Sequence, residues 1–573
     1  MFEINPSVQK PTYAKIVEQV KLMISSGRLK ANAKLPSIRE VAEELGIDPN
    51  TVAKAYNELQ REGVVRSKRG GGVFVGDQKS LFEREEKMSP QELEQYLWRA
   101  ADILRGPIEV SEYKNYILTL LFYKRLSDVY LEEYQENLMK YKDKTIAKKK
   151  FHRFLIPDGC LWEDLRQVGA NIGQRLNDTL EKITKENQQL EGVLNRTDFA
   201  RKEFLSEERI VKLMEHFSPL RLGNRDVEPD VLGGAYEYLI KQFADTAGKK
   251  GGEFYTPKEV VRTMVKILDP KEGDRIYDPA SGSGGMLVEA HDLIKKKRGD
   301  PRRLFLYGQE INVLTWAISK MNVFLHDMEA EIQQGDTFSN PRFLEKDGSL
   351  NKFDIVLANP MWNQDGYKEA MEKDQYRRFL YGIAPNSSAD WGWIQHMLTS
   401  LKPSGKMGIV LDNGVLFRGG MEGKIREKVV KEDLVECVIA LPEKLFYNTG
   451  APGCITILNK AKQGRRKGNV IFIYGGNGYE KFKNMNRLRD QDIEKIAETY
   501  REWKDVDKYA KVVPLEKIKE NDYNLSVTRY VDIFEEEEPV DIPKVLKGLE
   551  SLESERQGVE SKLKGYLKEL GYE

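Results

Sequence analysis

Apolar positions change their period several times along the chain, and the changes divide it. Tyr13 to Ile24 carries apolar residues at helical spacing, and a shorter helix is predicted from Ile38 to Leu45. Ser37 and Glu40 precede that run with capping-box spacing, and Gly46 stops it. Asp48 starts another helix, with Pro49 at its first position and Val52, Ala55, Tyr56 and Leu59 on one face. Two helices joined by a short Gly-containing turn make a helix-turn-helix. Gly63 to Val75 then predicts two short strands around a basic, glycine-rich tip. Lys79 to Ser89 is polar and charged and reads as a linker before Pro90. Helical spacing returns from Gln91 to about Phe243, interrupted by a predicted basic turn at Thr145 to Lys150.

Beyond that point the pattern becomes one of short continuous apolar runs separated by helical stretches, which predicts an open α/β sheet. The runs are Arg275 to Asp278, Leu304 to Glu310, Ile332 to Phe338, Phe353 to Ala358, Gly405 to Leu411, Leu434 to Leu441 and Val470 to Tyr474. The remainder is charged and helical, ending in an amphipathic helix from Leu549 to Leu570.

With 573 residues the chain needs several cores, and 40% hydrophobic with 32% charged residues suits a water-soluble multidomain protein. Lys+Arg and Asp+Glu both total 91, so a basic nucleic-acid surface must be local. Cys160, Cys437 and Cys454 are far apart, which argues for a reducing compartment and against a cysteine zinc site. The histidines are scattered, so no metal is expected. No signal peptide or membrane-spanning run is seen, so a cytoplasmic location and no membrane partner are expected.

The candidate chemistry sits at strand ends. Pro360 cannot join a ladder, so the strand Phe353 to Ala358 ends in the turn Asn359-Pro360-Met361-Trp362. Ligands of open α/β sheets bind at such carboxyl ends. The Asn359 side-chain oxygen and a backbone carbonyl beside Pro360 can accept from an NH2 group, and an aromatic face can stack on the ring that carries it. Upstream, Asp278-Pro279-Ala280-Ser281-Gly282-Ser283-Gly284-Gly285 joins a strand to a helix, letting the backbone approach a ligand at a helix N-terminus. It is neither a dinucleotide fingerprint nor a P-loop. Glu310 ends the next strand, where a carboxylate can accept ribose hydroxyls, although it follows the glycines by more than the roughly 20 residues of the dinucleotide pattern. Asp336 follows on the third strand. In Glu253-Phe254-Tyr255-Thr256-Pro257-Lys258, Thr256 and Glu259 have capping-box spacing, with Pro257 as first helical residue.

Three resemblances follow from these residues. Leu35-Pro36-Ser37-Ile38-Arg39 through Thr51-Val52-Ala53-Lys54-Ala55-Tyr56 to the glycine tip resembles the winged helix of GntR-type repressors. That implies DNA contacts from Arg39, Asn50, Thr51 and Lys54, wing contacts to phosphates from Arg66, Lys68 and Arg69, and room for a homodimer through this domain. Trp98-Arg99-Ala100-Ala101-Asp102-Ile103-Leu104-Arg105-Gly106 and Tyr123-Lys124-Arg125-Leu126-Ser127-Asp128 resemble the helical N-terminal domain of type I restriction–modification modification subunits. The glycine turn resembles motif I of S-adenosylmethionine-dependent methyltransferases, and Asn359 to Trp362 resembles the Asn-Pro-Pro-aromatic motif of amino-group DNA methyltransferases, with Met361 in place of the second proline.

Together they imply a multidomain α/β chain: winged helix 1–78, linker 79–90, helical domain 91–245, Rossmann-like methyltransferase domain 246–480 and helical tail 481–573. The activity implied is methyl transfer from S-adenosylmethionine to adenine N6 in double-stranded DNA, with no metal. Asn359, Pro360 and Trp362 would be catalytic. Glu253 to Lys258, Asp278, Ser281 to Gly284, Glu310 and Asp336 would hold the cofactor. Partners implied are a specificity subunit shared by two such chains, which the tail meets, and a restriction subunit able to join. The other readings are N4-cytosine transfer, protein-glutamine transfer, and a transcription regulator whose methyltransferase block only senses S-adenosylmethionine.

Overall fold

A computed structural model describes residues 12–25, 29, 33–61, 64–68, 72–75, 89–105, 110–168, 170–201, 205–247, 256–446, 450–482, 485–533 and 542–572. The chain forms two compact units, Met1–Leu93 and Glu94–Glu573.

The first unit holds helices α1 (Thr12–Ser25), α2 (Ile38–Leu45) and α3 (Pro49–Arg61) and strands β1 (Val65–Lys68) and β2 (Gly72–Val75). Ser37 and Glu40 form the expected reciprocal cap, and Gly46 closes α2 in the left-handed region at φ 62°. Val52, Ala55, Tyr56 and Leu59 of α3 are buried against Ile16, Val20 and Val41. β1 and β2 pair antiparallel, with Val65 opposite Val75, as the wing requires.

The second unit begins with helices, of which α4 (Val110–Tyr141), α5 (Ile172–Glu186), α6 (Glu207–Phe217) and α7 (Pro229–Ala247) are the longest. Lys144–Lys149 is a helix rather than the predicted turn: Asp143 accepts from the Thr145 and Ile146 N–H groups, and Ala147 is buried.

After α8 (Lys258–Leu268) come β3 (Arg275–Asp278), α9 (Gly285–Lys296), β4 (Phe305–Glu310), α10 (Val313–Leu325), β5 (Ala330–Gln334), β6 (Phe353–Ala358), α11 (Asp390–Thr399), β7 (Leu401–Asp412), α12 (Gly420–Lys431), β8 (Val435–Ala440), β9 (Gly453–Asn459), β10 (Asn469–Tyr474), a hairpin of β11 (Glu480–Phe482) and β12 (Met485–Arg487), α13 (Asp490–Glu502) and β13 (Ala510–Pro514). Apart from the hairpin these strands form one sheet in the order β13-β10-β8-β9-β7-β6-β3-β4-β5. Only β9 and β13 run antiparallel to their neighbours. No strand is predicted from pattern at either place. β9 forms because every residue of Gly453–Asn459 is buried between β7 and β8, and β13 adds an edge inside a tail expected to be helical. The chain winds from β3 outward to β5, then crosses to β6 on the other side of β3. β3 and β6 are therefore the topological switch point, where a crevice opens at the strands' carboxyl ends. The tail helix α14 (Ile542–Glu569) buries none of its residues.

Candidate active site

At the switch point β3 ends in Asp278, only 1% exposed, whose Oδ1 accepts from the Ala280 N–H at 3.0 Å. Burial, reinforced by the Glu310 carboxylate, pushes Asp278 up to about 8 against the pull of that N–H. The turn after it is shaped by Gly282 at φ 52° and Gly284 at φ 81°, and a side chain at Gly284 would also strike Ser319 Oγ at 2.7 Å. The turn delivers the chain into α9. Glu310 ends β4 and accepts from the Gly282 N–H at 2.9 Å and the Asn312 N–H at 2.8 Å. Burial raises its pKa while those N–H groups oppose the rise. Asp336 stands in the turn after β5 rather than on it, accepting from the Phe338 N–H at 3.0 Å and from Ser339 Oγ at 2.6 Å.

On the neighbouring strand β6 ends at Ala358 and Asn359 follows. Asn359 Nδ2 donates to Thr256 Oγ1 at 2.9 Å, and Trp362 Nε1 donates to Asn359 Oδ1 at 3.0 Å. The indole meets the Phe446 ring edge-on at 4.7 Å. Behind the turn, buried Asp390 accepts from the Asn363 N–H at 3.0 Å and pairs with Arg418 at 2.6 Å, which also holds Glu422 at 2.9 Å. These strand ends open on one cavity of about 530 Å³.

Of the residues singled out in the sequence, Thr256, Lys258, Asp278, Ser281, Gly282, Ser283, Glu310, Asp336, Asn359, Pro360 and Trp362 line that cavity. Pro257 and Gly284 instead begin α8 and α9 as their N-cap residues. Glu253, Phe254 and Tyr255 lie outside the described residues. The predicted Thr256/Glu259 cap does not form. Pro257 is the N-cap, the Thr256 hydroxyl turns to Asn359, and Glu259 pairs with Arg487 at 2.6 Å. Lys258 pairs with Glu237 of α7 at 2.9 Å.

Glu237, Glu289, Gln364, Tyr367 and Trp393 also line the cavity and were not singled out as site residues. Glu289 had a readable signal, a carboxylate one turn into the helix that the glycine turn opens. Glu237 had none, because an acid on a mostly apolar helix reads as a solvated position. In the first unit Arg39, Asn50, Lys54 and Arg66 are exposed and Thr51 is half-buried. Lys54 Nζ lies 4.2 Å from the centre of the Tyr13 ring. Lys68 is in β1, its side chain outside the described residues, as is all of Arg69. Among the described residues no cluster of metal-ligating side chains occurs, and no helix is long and apolar enough to cross a membrane.

A doubly wound sheet with a glycine turn, paired strand-end acids and an Asn-Pro turn at its switch point defines a methyltransferase. The chain belongs to the N-6 DNA methylase family, whose model matches residues 227–539, and is a type I restriction–modification methylase subunit, an adenine-specific DNA methyltransferase. The HsdM N-terminal domain matches residues 93–217 and the gntR family of bacterial regulatory proteins matches residues 12–75. It is 38% identical to the type I restriction enzyme MjaVIII methylase subunit of Methanocaldococcus jannaschii over 85% of this chain and 86% of that one. It is 33% identical to the HindI methylase subunit of Haemophilus influenzae over 73% of this chain and all of that one. The crystal structure of a type I methyltransferase subunit from Streptococcus thermophilus superposes with a TM-score of 0.69 at 32% identity, covering 78% of this chain and 100% of that one.

Proposed function

We propose that S-adenosylmethionine occupies the Asp278–Glu310 side of the cavity and that Asn359 presents adenine N6 to it. The observation carrying this is the shared cavity: the glycine turn of β3 and the Asn-Pro turn of β6 open on the same space from adjacent strands. The residues present fit the cofactor. Ser281 lines the cavity and its hydroxyl is buried without a partner, and Asp278 and Glu310 place two carboxylates on the same wall for a cationic ligand bearing ribose hydroxyls. When bound, S-adenosylmethionine supplies a methyl group already activated on a positive sulfur.

The chain's own work is to prepare the nitrogen. The lone pair of adenine N6 is delocalised into the ring, which makes it a poor nucleophile. Asn359 Oδ1 has two acceptor sites, and Trp362 takes one, leaving the other for an N6 proton. The Pro360 carbonyl accepts the second proton. Held this way, N6 moves toward tetrahedral geometry and regains its lone pair for attack, and after transfer the cationic nitrogen loses one of its two protons to solvent water. Trp362 offers its ring to the flipped base. The chain is co-expressed with a specificity subunit and N6-methyladenine is measured by nucleoside mass spectrometry. Asn359→Ala is expected to abolish transfer while S-adenosylmethionine binding survives, and equal loss of both would refute the role given to Asn359.

The target sequence is read by the specificity subunit, and α14 is the surface that meets it. Ile542, Val545, Leu549, Leu552, Val559, Leu563, Tyr566 and Leu570 alternate in steps of three and four on α14 and its C-terminal end, with Arg556 at the one interrupted position, and all these apolar residues are exposed. That is the seam of a coiled coil waiting for a helix. Two such chains and one specificity chain make the complex, with a restriction subunit able to join. The winged helix binds the chain's own promoter and limits its synthesis, and it pairs as a dimer to do so. An electrophoretic shift on upstream DNA tests this, and no shift at moderate salt would refute it.

A further inference from the structure

An asparagine amide has nearly the same shape either way round. Turned about its Cγ, Asn359 would offer an NH2 group to an incoming amine and repel it. Thr256 alone cannot choose between the two orientations, because a hydroxyl both donates and accepts. Trp362 can. Its indole N–H only donates, so the atom it meets at 3.0 Å must be the carbonyl oxygen. That assignment leaves Nδ2 facing Thr256, whose oxygen accepts at 2.9 Å. With the amide reversed, two N–H donors would face each other between Trp362 and Asn359.

The indole is not free to follow a turning amide. It lies edge-on to Phe446 and is packed against the apolar clusters on both faces of the sheet. A Cβ added to Gly453 would sit 2.9 Å from Trp362 Cη2, so β9 backs the ring without a gap. Thr256 directly precedes Pro257, the N-cap of α8.

We infer that the Trp362 indole N–H and the Thr256 hydroxyl are positioning groups that lock the Asn359 amide with its carbonyl oxygen toward the base. This rests on the reading of Asn359 given above. It assigns Thr256 a task on the base side of the cavity, separate from the cofactor, and assigns the edge of Trp362 a task distinct from that of its face.

The test uses the chain in complex with its specificity subunit, following single-turnover transfer from labelled S-adenosylmethionine. Trp362→Phe keeps an aromatic ring and removes the N–H. Thr256→Val keeps the shape and removes the acceptor, and Thr256→Ser restores it. Trp362→Phe and Thr256→Val are each expected to slow transfer about tenfold or more, as misplacement of a reacting group does, while the affinities for S-adenosylmethionine and DNA stay within about twofold. The double variant is expected to be little slower than either single one, since both release the same amide. Thr256→Ser is expected within about threefold of the unaltered chain.

Transfer within about twofold of the unaltered rate in both Trp362→Phe and Thr256→Val would overturn the inference. So would a Thr256→Ser variant as slow as Thr256→Val, or loss of cofactor affinity equal to the loss of rate. If the Trp362 substitution unfolds the chain, transfer by Thr256→Val within about twofold of the unaltered rate overturns the inference by itself. Asn359→Ala, run alongside, separates the two levels. If it still transfers, the reading of Asn359 falls. If it is dead while the other variants match the unaltered chain, only the locking inference falls.

Discussion

Asp278 makes cofactor binding a titration. It is fully buried, faces the Glu310 carboxylate, and has one backbone N–H to steady its charge, so it ionises only near pH 8. At pH 7 about a tenth of the molecules carry the carboxylate, and at pH 9 about nine-tenths do. If the positive cofactor needs that carboxylate, binding expels the proton, and affinity rises about tenfold from pH 7 to pH 9 and falls about tenfold again by pH 6. The assay is calorimetric titration with S-adenosylmethionine from pH 6 to pH 9, on the unaltered chain and on Asp278→Asn. The ratio of the two affinities removes the ligand's own ionisation. A second reading comes from stability. A carboxyl group raised in the folded state holds a proton that the unfolded chain has released, so the free protein loses stability as pH rises from about 4 through 8. The melting temperature of the unaltered chain should therefore fall more steeply over that range than that of Asp278→Asn. A ratio of affinities that stays flat from pH 6 to pH 9 would refute the reasoning.

Gly453→Ala places a Cβ 2.7 Å from the Phe446 ring and 2.9 Å from the Trp362 ring, so both must shift. Methyl transfer should drop about tenfold or more with little change in cofactor affinity, measured by single-turnover kinetics and calorimetry. Arg378 is 2% exposed, pairs with Asp374 at 2.7 Å and donates to the Thr337 carbonyl at 2.7 Å. Arg378→Ala should cost about 3–5 kcal/mol in denaturant unfolding, because Asp374 is left buried and unpaired. Leu552 is 63% exposed on α14, so Leu552→Glu should leave the melting temperature of the free chain unchanged and abolish co-purification with the specificity subunit.

Local signals were enough for much of the fold and for eleven of the residues that line the cavity. The box around Ser37, the glycine turn after Asp278 and the break at Pro360 each act through neighbours a few residues away, and each formed where expected. Thr256 shows where that reach ends. The Thr-Pro-Lys-Glu spacing is that of a helix cap, yet the hydroxyl is taken by Asn359, 103 residues further along the chain. A pairing of that kind leaves no periodic trace. Glu237 and β9 were illegible for the same reason: one is brought to the cavity by the packing of α7, and the other is buried by strands on both sides of it. Met361, which stands where the motif has its second proline, is 47% exposed, and the turn is held by Asp390 and Arg418 behind Asn363.

The bare seam of α14 bears on how much of this protein a cell can tolerate. A helix with a long exposed apolar stripe in water invites its own kind, so every chain made in excess of its partner is a candidate for self-association or degradation. Matching dosage removes that hazard, and the binding of its own promoter proposed for the winged helix on the same polypeptide is a direct means of doing so. Surplus chains, rather than complexes, would then set the level at which synthesis stops.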